Sequence, residues 1–159
     1  TTYQISAGLT TDQLIALTTA QIAALTTQQV LNGLTTDQVV ALSTAQAASL
    51  LTAQLSALSV ANLQALETTD LAALTVAQVA GLTTHQAASL TTDQVIALTT
   101  AQVAGLRTAQ LSGMGTAQIA ALETIDIQAL TTAQIASLPT CKPWTPAISQ
   151  RSPQRKLPA

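Results

Sequence analysis

Leucine recurs along the chain at a fixed interval, and the residues between successive leucines repeat one order of polar and apolar positions. From Leu34 to Leu106 every step is eight residues, and the unit reads Thr-Thr-x-Gln-aliphatic-x-small-Leu. Two units, which begin at Thr1 and Thr26, are nine residues long. A period this short indicates a repeat architecture in which neighbouring units share one core. We count seventeen copies over residues 1–138.

The restricted positions of the unit predict a short helix. A first-position Thr followed three residues later by Gln, as in Thr10 and Gln13, is the pattern of a capping box. At 100° per residue, positions one, four, five and eight share one face, while the variable positions three and six point away from it. We therefore expect one very short helix per repeat, packed through positions one, four, five and eight. The small seventh position predicts that adjacent backbones approach closely.

A β-solenoid is the alternative fold class. In a continuous strand the leucine and the fifth-position aliphatic residue would point to opposite faces, because they are an odd number of residues apart. Ala, Leu and Gln also favour helix over strand. The prediction is therefore an all-α solenoid.

A single octad is too small to be stable alone. Ordering eight residues costs about 8–16 kcal/mol of backbone entropy, whereas burying two aliphatic side chains returns about 3–6 kcal/mol. The units must therefore stack. The two nine-residue units are separated by two octads, which predicts about three segments per coil; a stack of two-helix hairpins is the alternative.

Composition changes sharply at Pro139. All five prolines and four of the five basic residues lie in residues 139–159, whereas all seven acidic residues lie in the repeats. We expect a solenoid domain over 1–138 and a Pro-rich basic C-terminal tail over 139–159. Trp144 and Ile148 could fold back over the last helix layer as a cap, and a disordered tail is the alternative.

Few residues are candidates for chemistry. His85 is the one histidine and occupies a variable third position, and Cys141 is a lone thiol in the tail. One His and one Cys cannot form an ordinary zinc site. Two acidic pairs replace the first and fourth positions of their units, where we interpret them as helix caps: Glu67 with Asp70, and Glu123 with Asp126. The sequence predicts no enzyme, no catalytic, cofactor-binding or metal site, and no cofactor.

Residues Leu34–Leu42, LTTDQVVAL, resemble the opening helix of transcription activator-like effector repeats from plant pathogens. In that family a second helix and a base-reading loop complete a longer repeat, and neither is present here. The array is also net acidic, which disfavours phosphate contacts. We attribute the likeness to a shared helix start and expect no nucleic-acid partner.

The whole pattern is similar to the Thr/Ala-rich octapeptide tracts of large bacterial surface or secreted proteins. That resemblance implies a structural scaffold, such as a stalk, spacer or fibre segment, at the cell surface or outside the cell. The chain begins at Thr1 in repeat register and without Met, so we expect a larger parent polypeptide. We also expect an apolar layer at the N-terminal end, able to dock head to tail on another copy; lateral self-association is the alternative.

No apolar run approaches the length of a membrane span, so none is expected. The alternative function is a binding module. It would use either a Thr-rich face on a regular partner such as ice or polysaccharide, or a peptide-binding groove.

Overall fold

The computed structural model describes residues 10–139. In this range the chain forms sixteen helices of five to seven residues, one per repeat, and no strand. The all-α prediction is confirmed, and the β-solenoid alternative is wrong for these residues. The helices are α1 (Thr11–Ile15), α2 (Thr19–Ala23), α3 (Thr27–Gly33), α4 (Thr36–Val40), α5 (Thr44–Ala48), α6 (Thr52–Ala57), α7 (Val60–Ala65), α8 (Thr68–Ala73), α9 (Val76–Ala80), α10 (Thr84–Ala88), α11 (Thr92–Ala97), α12 (Thr100–Ala104), α13 (Thr108–Gly113), α14 (Thr116–Ala120), α15 (Thr124–Ala129) and α16 (Thr132–Ser137).

Most of the helices begin at a capping box. In α11 the Thr91 hydroxyl accepts the Gln94 backbone N–H at 3.1 Å, and the Thr91 backbone N–H donates to Gln94 Oε1 at 3.2 Å. The helices end one or two residues before the last residue of their unit. At Leu98, which follows α11, the N–H donates to the Val95 carbonyl and the backbone is extended. None of the described residues has a positive φ. Helix ends are therefore not closed by the left-handed glycine that is common elsewhere.

Three helices complete one coil. The helices that pack most closely are three apart in the chain, as α8 packs on α11 and α10 on α13. One coil therefore takes three octads, and the coil that includes the unit at Thr26 has one residue more. The prediction of three segments per coil is confirmed, and the stack of two-helix hairpins is excluded for the described residues.

The core is a single column of aliphatic side chains from the fifth and eighth positions of each unit. Leu63, Leu71 and Val79 have no exposed surface, and the eighth-position Leu66 and Leu74 are 2% and 4% exposed. This prediction is confirmed. The first position, which we expected to pack, is instead exposed in residues such as Thr91 and Thr99. That residue lies at the corner between helices, where its hydroxyl needs to reach only a backbone N–H of its own helix.

The small seventh position lies where consecutive coils touch. A Cβ built on Gly81 would lie 1.9 Å from Thr52 Cγ2, and one built on Gly105 would lie 2.2 Å from Val76 Cγ1. Thr52 and Val76 are second-position residues of the helix three before. The seventh position of each unit therefore faces the second position of a unit in the coil before it. The close approach of backbones that the small seventh position predicts is confirmed.

Candidate functional site: the amide ladder between coils

The residues considered for chemistry do not converge on a site. His85 is exposed on α10, and the described residues contain no group of three or more His, Cys, Asp or Glu side chains that could hold a metal ion. No surface pocket is present in this part of the chain. None of its helices is long and apolar enough to cross a membrane. Cys141, Trp144 and Ile148 lie outside the described residues.

The distinctive feature of the structure is a column of buried polar side chains at the fourth position. From Gln38 to Gln134 every fourth-position residue is buried, although this position carries an amide or a carboxylate in each unit. A buried polar group destabilises a protein unless it is hydrogen-bonded. The partners of these side chains therefore decide whether the column stabilises the fold.

Each buried glutamine from Gln46 onward joins two coils. Gln94 Oε1 accepts the N–H of Thr91 in its own helix, while its Nε2 donates to the carbonyls of Leu63 and Leu66, both at 2.9 Å. These two carbonyls lie at the end of α7, in the coil before. Gln102 repeats the arrangement, since its Nε2 donates to Leu71 at 3.0 Å and to Leu74 at 2.6 Å. One side chain thus caps its own helix and the helix end below it.

We call this column the amide ladder. It consists of the fourth-position amides whose nitrogen donates to carbonyls 28–32 residues earlier: Gln46, Gln54, Asn62, Gln78, Gln86, Gln94, Gln102, Gln110, Gln118 and Gln134. The last carbonyls of a helix have no partner within the helix. The ladder supplies those partners from the next coil, which explains how the helices end without left-handed glycines.

Three units separate the two roles of the ladder residue. Asn62 is too short for both roles; its amide nitrogen still donates to the Leu34 carbonyl at 2.8 Å, but no capping box forms. Asp126 has no N–H to donate, and it keeps only the local bond, accepting the Glu123 N–H at 3.2 Å. Asp70 is 2% exposed, and its Oδ2 has no hydrogen-bond partner. The ladder is therefore interrupted at the two aspartates.

The two acidic pairs do not cap their helices in the way that the sequence predicts. Neither Glu67 nor Glu123 makes a side-chain cap hydrogen bond. Of their partners, only Asp126 forms the return bond to the N-cap backbone. Helices therefore still begin at these carboxylates. The Asp70 carboxylate, however, occupies the fourth position, where other units have an amide N–H that donates to the coil before.

Sequence reasoning identified the glutamine as a capping residue and missed its bond to the neighbouring coil. The signal was nevertheless present. A capping box accepts Glu as readily as Gln, and a helix start favours negative charge. No described unit has Glu at the fourth position. An acceptor that is never replaced by its isosteric carboxylate indicates that its N–H donors are needed as well.

Two stretches of the chain match a known family model. Residues 63–100 and 96–124 match the ALTTAQ repeat. Together these matches span residues 63–124, which is less than half of the chain. They support a tandem repeat, and they cover α8 to α14, the middle of the described array. No curated protein and no solved structure matches the chain.

Proposed function

We propose that this chain is a structural scaffold, a stiff spacer or fibre segment whose length is set by the number of repeats. One observation carries the proposal: the amide ladder recurs from the second coil to the last, interrupted only at Asp70 and Asp126, and no described coil carries an unusual cluster of side chains. A repeat-only architecture of this kind fits a protein without enzymatic activity.

The ladder and the core both favour stiffness. Packed helices lie about 8–10 Å apart, so each coil of three octads adds about that length. Successive coils share an aliphatic layer with no exposed surface at Leu63 and Leu71, and hydrogen bonds such as Gln94 to Leu66 cross every such layer. Bending the array would therefore separate carbonyls from their amide donors. A spacer needs this property, and a flexible linker lacks it.

We test the proposal by removing whole coils. Deleting residues 75–98 removes three octads, which is one complete coil. Every later helix then still packs on the helix three before it, as in the intact chain. We expect the maximum dimension from small-angle X-ray scattering to fall by about 8–10 Å, with the same cross-section. The matched control deletes residues 75–86, one and a half octads. This deletion is shorter, but it breaks the octad register, so the variant should lose helical circular dichroism. An unchanged length in the first variant, or equal stability of both, would contradict the proposal.

The surroundings of the protein follow from the sequence resemblance. We propose a location at the cell surface or outside the cell, because the sequence resembles the octapeptide tracts of large bacterial surface or secreted proteins. The alternative function, a binding module, has less support. A flat threonine face would require a β-solenoid, whereas the described residues form helices only. A peptide-binding site would be supported by a pocket, and none is present among these residues.

A further inference from the structure

The two ends of the described solenoid differ in chemistry. At the N-terminal end, Gln13 and Gln21 are exposed and Gln29 is half-buried, whereas every later fourth-position residue is buried. Their Oε1 atoms accept the N–H of Thr10, Thr18 and Thr26 in capping boxes. Their Nε2 donors make no hydrogen bond within the described residues. We call these three glutamines the amide face.

The C-terminal end shows the reverse pattern. The fifth-position residue is fully buried at Leu111, half-buried at Ile119 and Ile127, and 41% exposed at Ile135. Among residues 10–139 no coil lies above the aliphatic layer of this last coil. No ladder amide of these residues donates to the carbonyls of the eighth-position Leu122, Leu130 and Leu138. We call α14–α16 with these side chains and carbonyls the carbonyl face.

The apolar layer that we expected at the start of the chain, at Thr1, lies outside the described residues. In the first described coil Leu14, Ile22 and Val30 are at most 1% exposed. The fifth-position side chain points toward the following coil, and the fourth-position amide points toward the preceding one. Exposed aliphatic residues of the core therefore collect at the C-terminal end.

We infer that the amide face of one copy docks on the carbonyl face of a second copy, continuing the solenoid across the junction. This inference rests on the proposed scaffold function and identifies its partner. The ladder spacing assigns the pairs, because each ladder amide reaches a carbonyl four units earlier, as Gln134 reaches Leu106. With the sequence unit that begins at Thr1 counted as the next repeat, the amides of Gln13, Gln21 and Gln29 match the carbonyls of Leu122, Leu130 and Leu138 in that order. The same surface is buried between all internal coils, so the junction reproduces an interface that the chain already forms. A contact between unlike ends that continues the solenoid along its own axis does not close into a ring and therefore propagates.

Sedimentation velocity of the full chain over a concentration series tests the inference. We expect species that grow with concentration. Ile135→Glu places a charge on the carbonyl face and should raise the concentration needed for association at least tenfold. Ile96→Glu is the matched control, because Ile96 is 54% exposed on the side of the solenoid, and it should leave association unchanged. A single monomeric species at all concentrations, or equal effects of the two variants, would overturn the inference.

Disulfide trapping tests the register directly. Gly81 lies over Thr52 within the chain, and the same relation across the junction brings Ala24 of one copy over Thr132 of the other. In a Cys141→Ser background, Ala24→Cys with Thr132→Cys should oxidise to a series of covalent multimers. Ala24→Cys with Thr124→Cys is one helix out of register and should not. If instead residues 139–159 cover the carbonyl face, the chain stays monomeric and neither pair cross-links, which also overturns the inference. The spacer proposal is tested separately, by the length that each coil adds. The docking inference and the spacer proposal can therefore fail independently of each other.

Discussion

Replacing Gln102 with glutamate separates the two roles of the ladder residue. Glutamate has nearly the same size and keeps an oxygen for the Thr99 N–H, which Gln102 Oε1 now accepts at 2.8 Å. It loses both N–H donors, which now reach the carbonyls of Leu71 and Leu74. If the glutamine were only a capping residue, Gln102→Glu would be neutral or slightly stabilising, since helix starts favour negative charge.

The structure predicts the opposite sign. Gln102 is 1% exposed, so a carboxylate there would face backbone carbonyl oxygens without water. Two hydrogen bonds are lost, at about 1 kcal/mol net each, and an unsatisfied buried group adds about 1–3 kcal/mol. The favourable interaction with the helix start returns at most about 1 kcal/mol. We therefore expect a loss of about 2–4 kcal/mol in the free energy of unfolding, a large share of the total for a chain of this size.

Urea denaturation followed by far-ultraviolet circular dichroism measures this change from the midpoint and slope. Gln13→Glu is the matched control, because Gln13 makes the same capping box and is exposed. At a protein concentration too low for end-to-end association, it should change stability by less than about 0.5 kcal/mol. A protonated carboxyl has one O–H donor, so acidification should recover part of the loss in Gln102→Glu alone.

A neutral or stabilising Gln102→Glu would refute the reasoning. It would mean that the bonds between coils are replaced without loss, and that the glutamine serves its own helix only. Equal destabilisation of the Gln102 and Gln13 variants would also contradict us, because the inter-coil bond is present in one and absent in the other.

Three further substitutions follow from the same contacts. Asp70→Asn should raise the free energy of unfolding by about 1–3 kcal/mol, since an amide donor replaces an unpartnered buried oxygen; the exposed Asp93→Asn should have no comparable effect in urea denaturation. Leu51→Thr should stabilise by about 1 kcal/mol, because Leu51 occupies an N-cap position without a side-chain cap bond; an unchanged melting temperature would contradict this. Gly105→Leu should destabilise by about 1–3 kcal/mol through its clash with Val76, and thermal unfolding at or above the wild-type temperature would show that the coils can separate there.

Local structure could be predicted from the sequence because its determinants lie within one octad. The capping box joins residues three apart, such as Thr91 and Gln94, and it requires only their identities and spacing. The aliphatic fifth and eighth positions identified the core for the same reason. The two nine-residue units, which begin at Thr1 and Thr26, also indicated three segments per coil, because two octads separate them.

Which face each side chain presents was decided only by the tertiary structure. The second role of Gln94 depends on carbonyls 28 and 31 residues earlier, and these carbonyls come within reach only when three helices close a coil. The exposure of the first position and the different chemistry of the two ends follow from the same closure. The repeated sequence is nearly identical in every coil, so the asymmetry between Gln13 and Ile135 arises from the direction of stacking: each coil donates to the one before it and buries its aliphatic layer under the one after it.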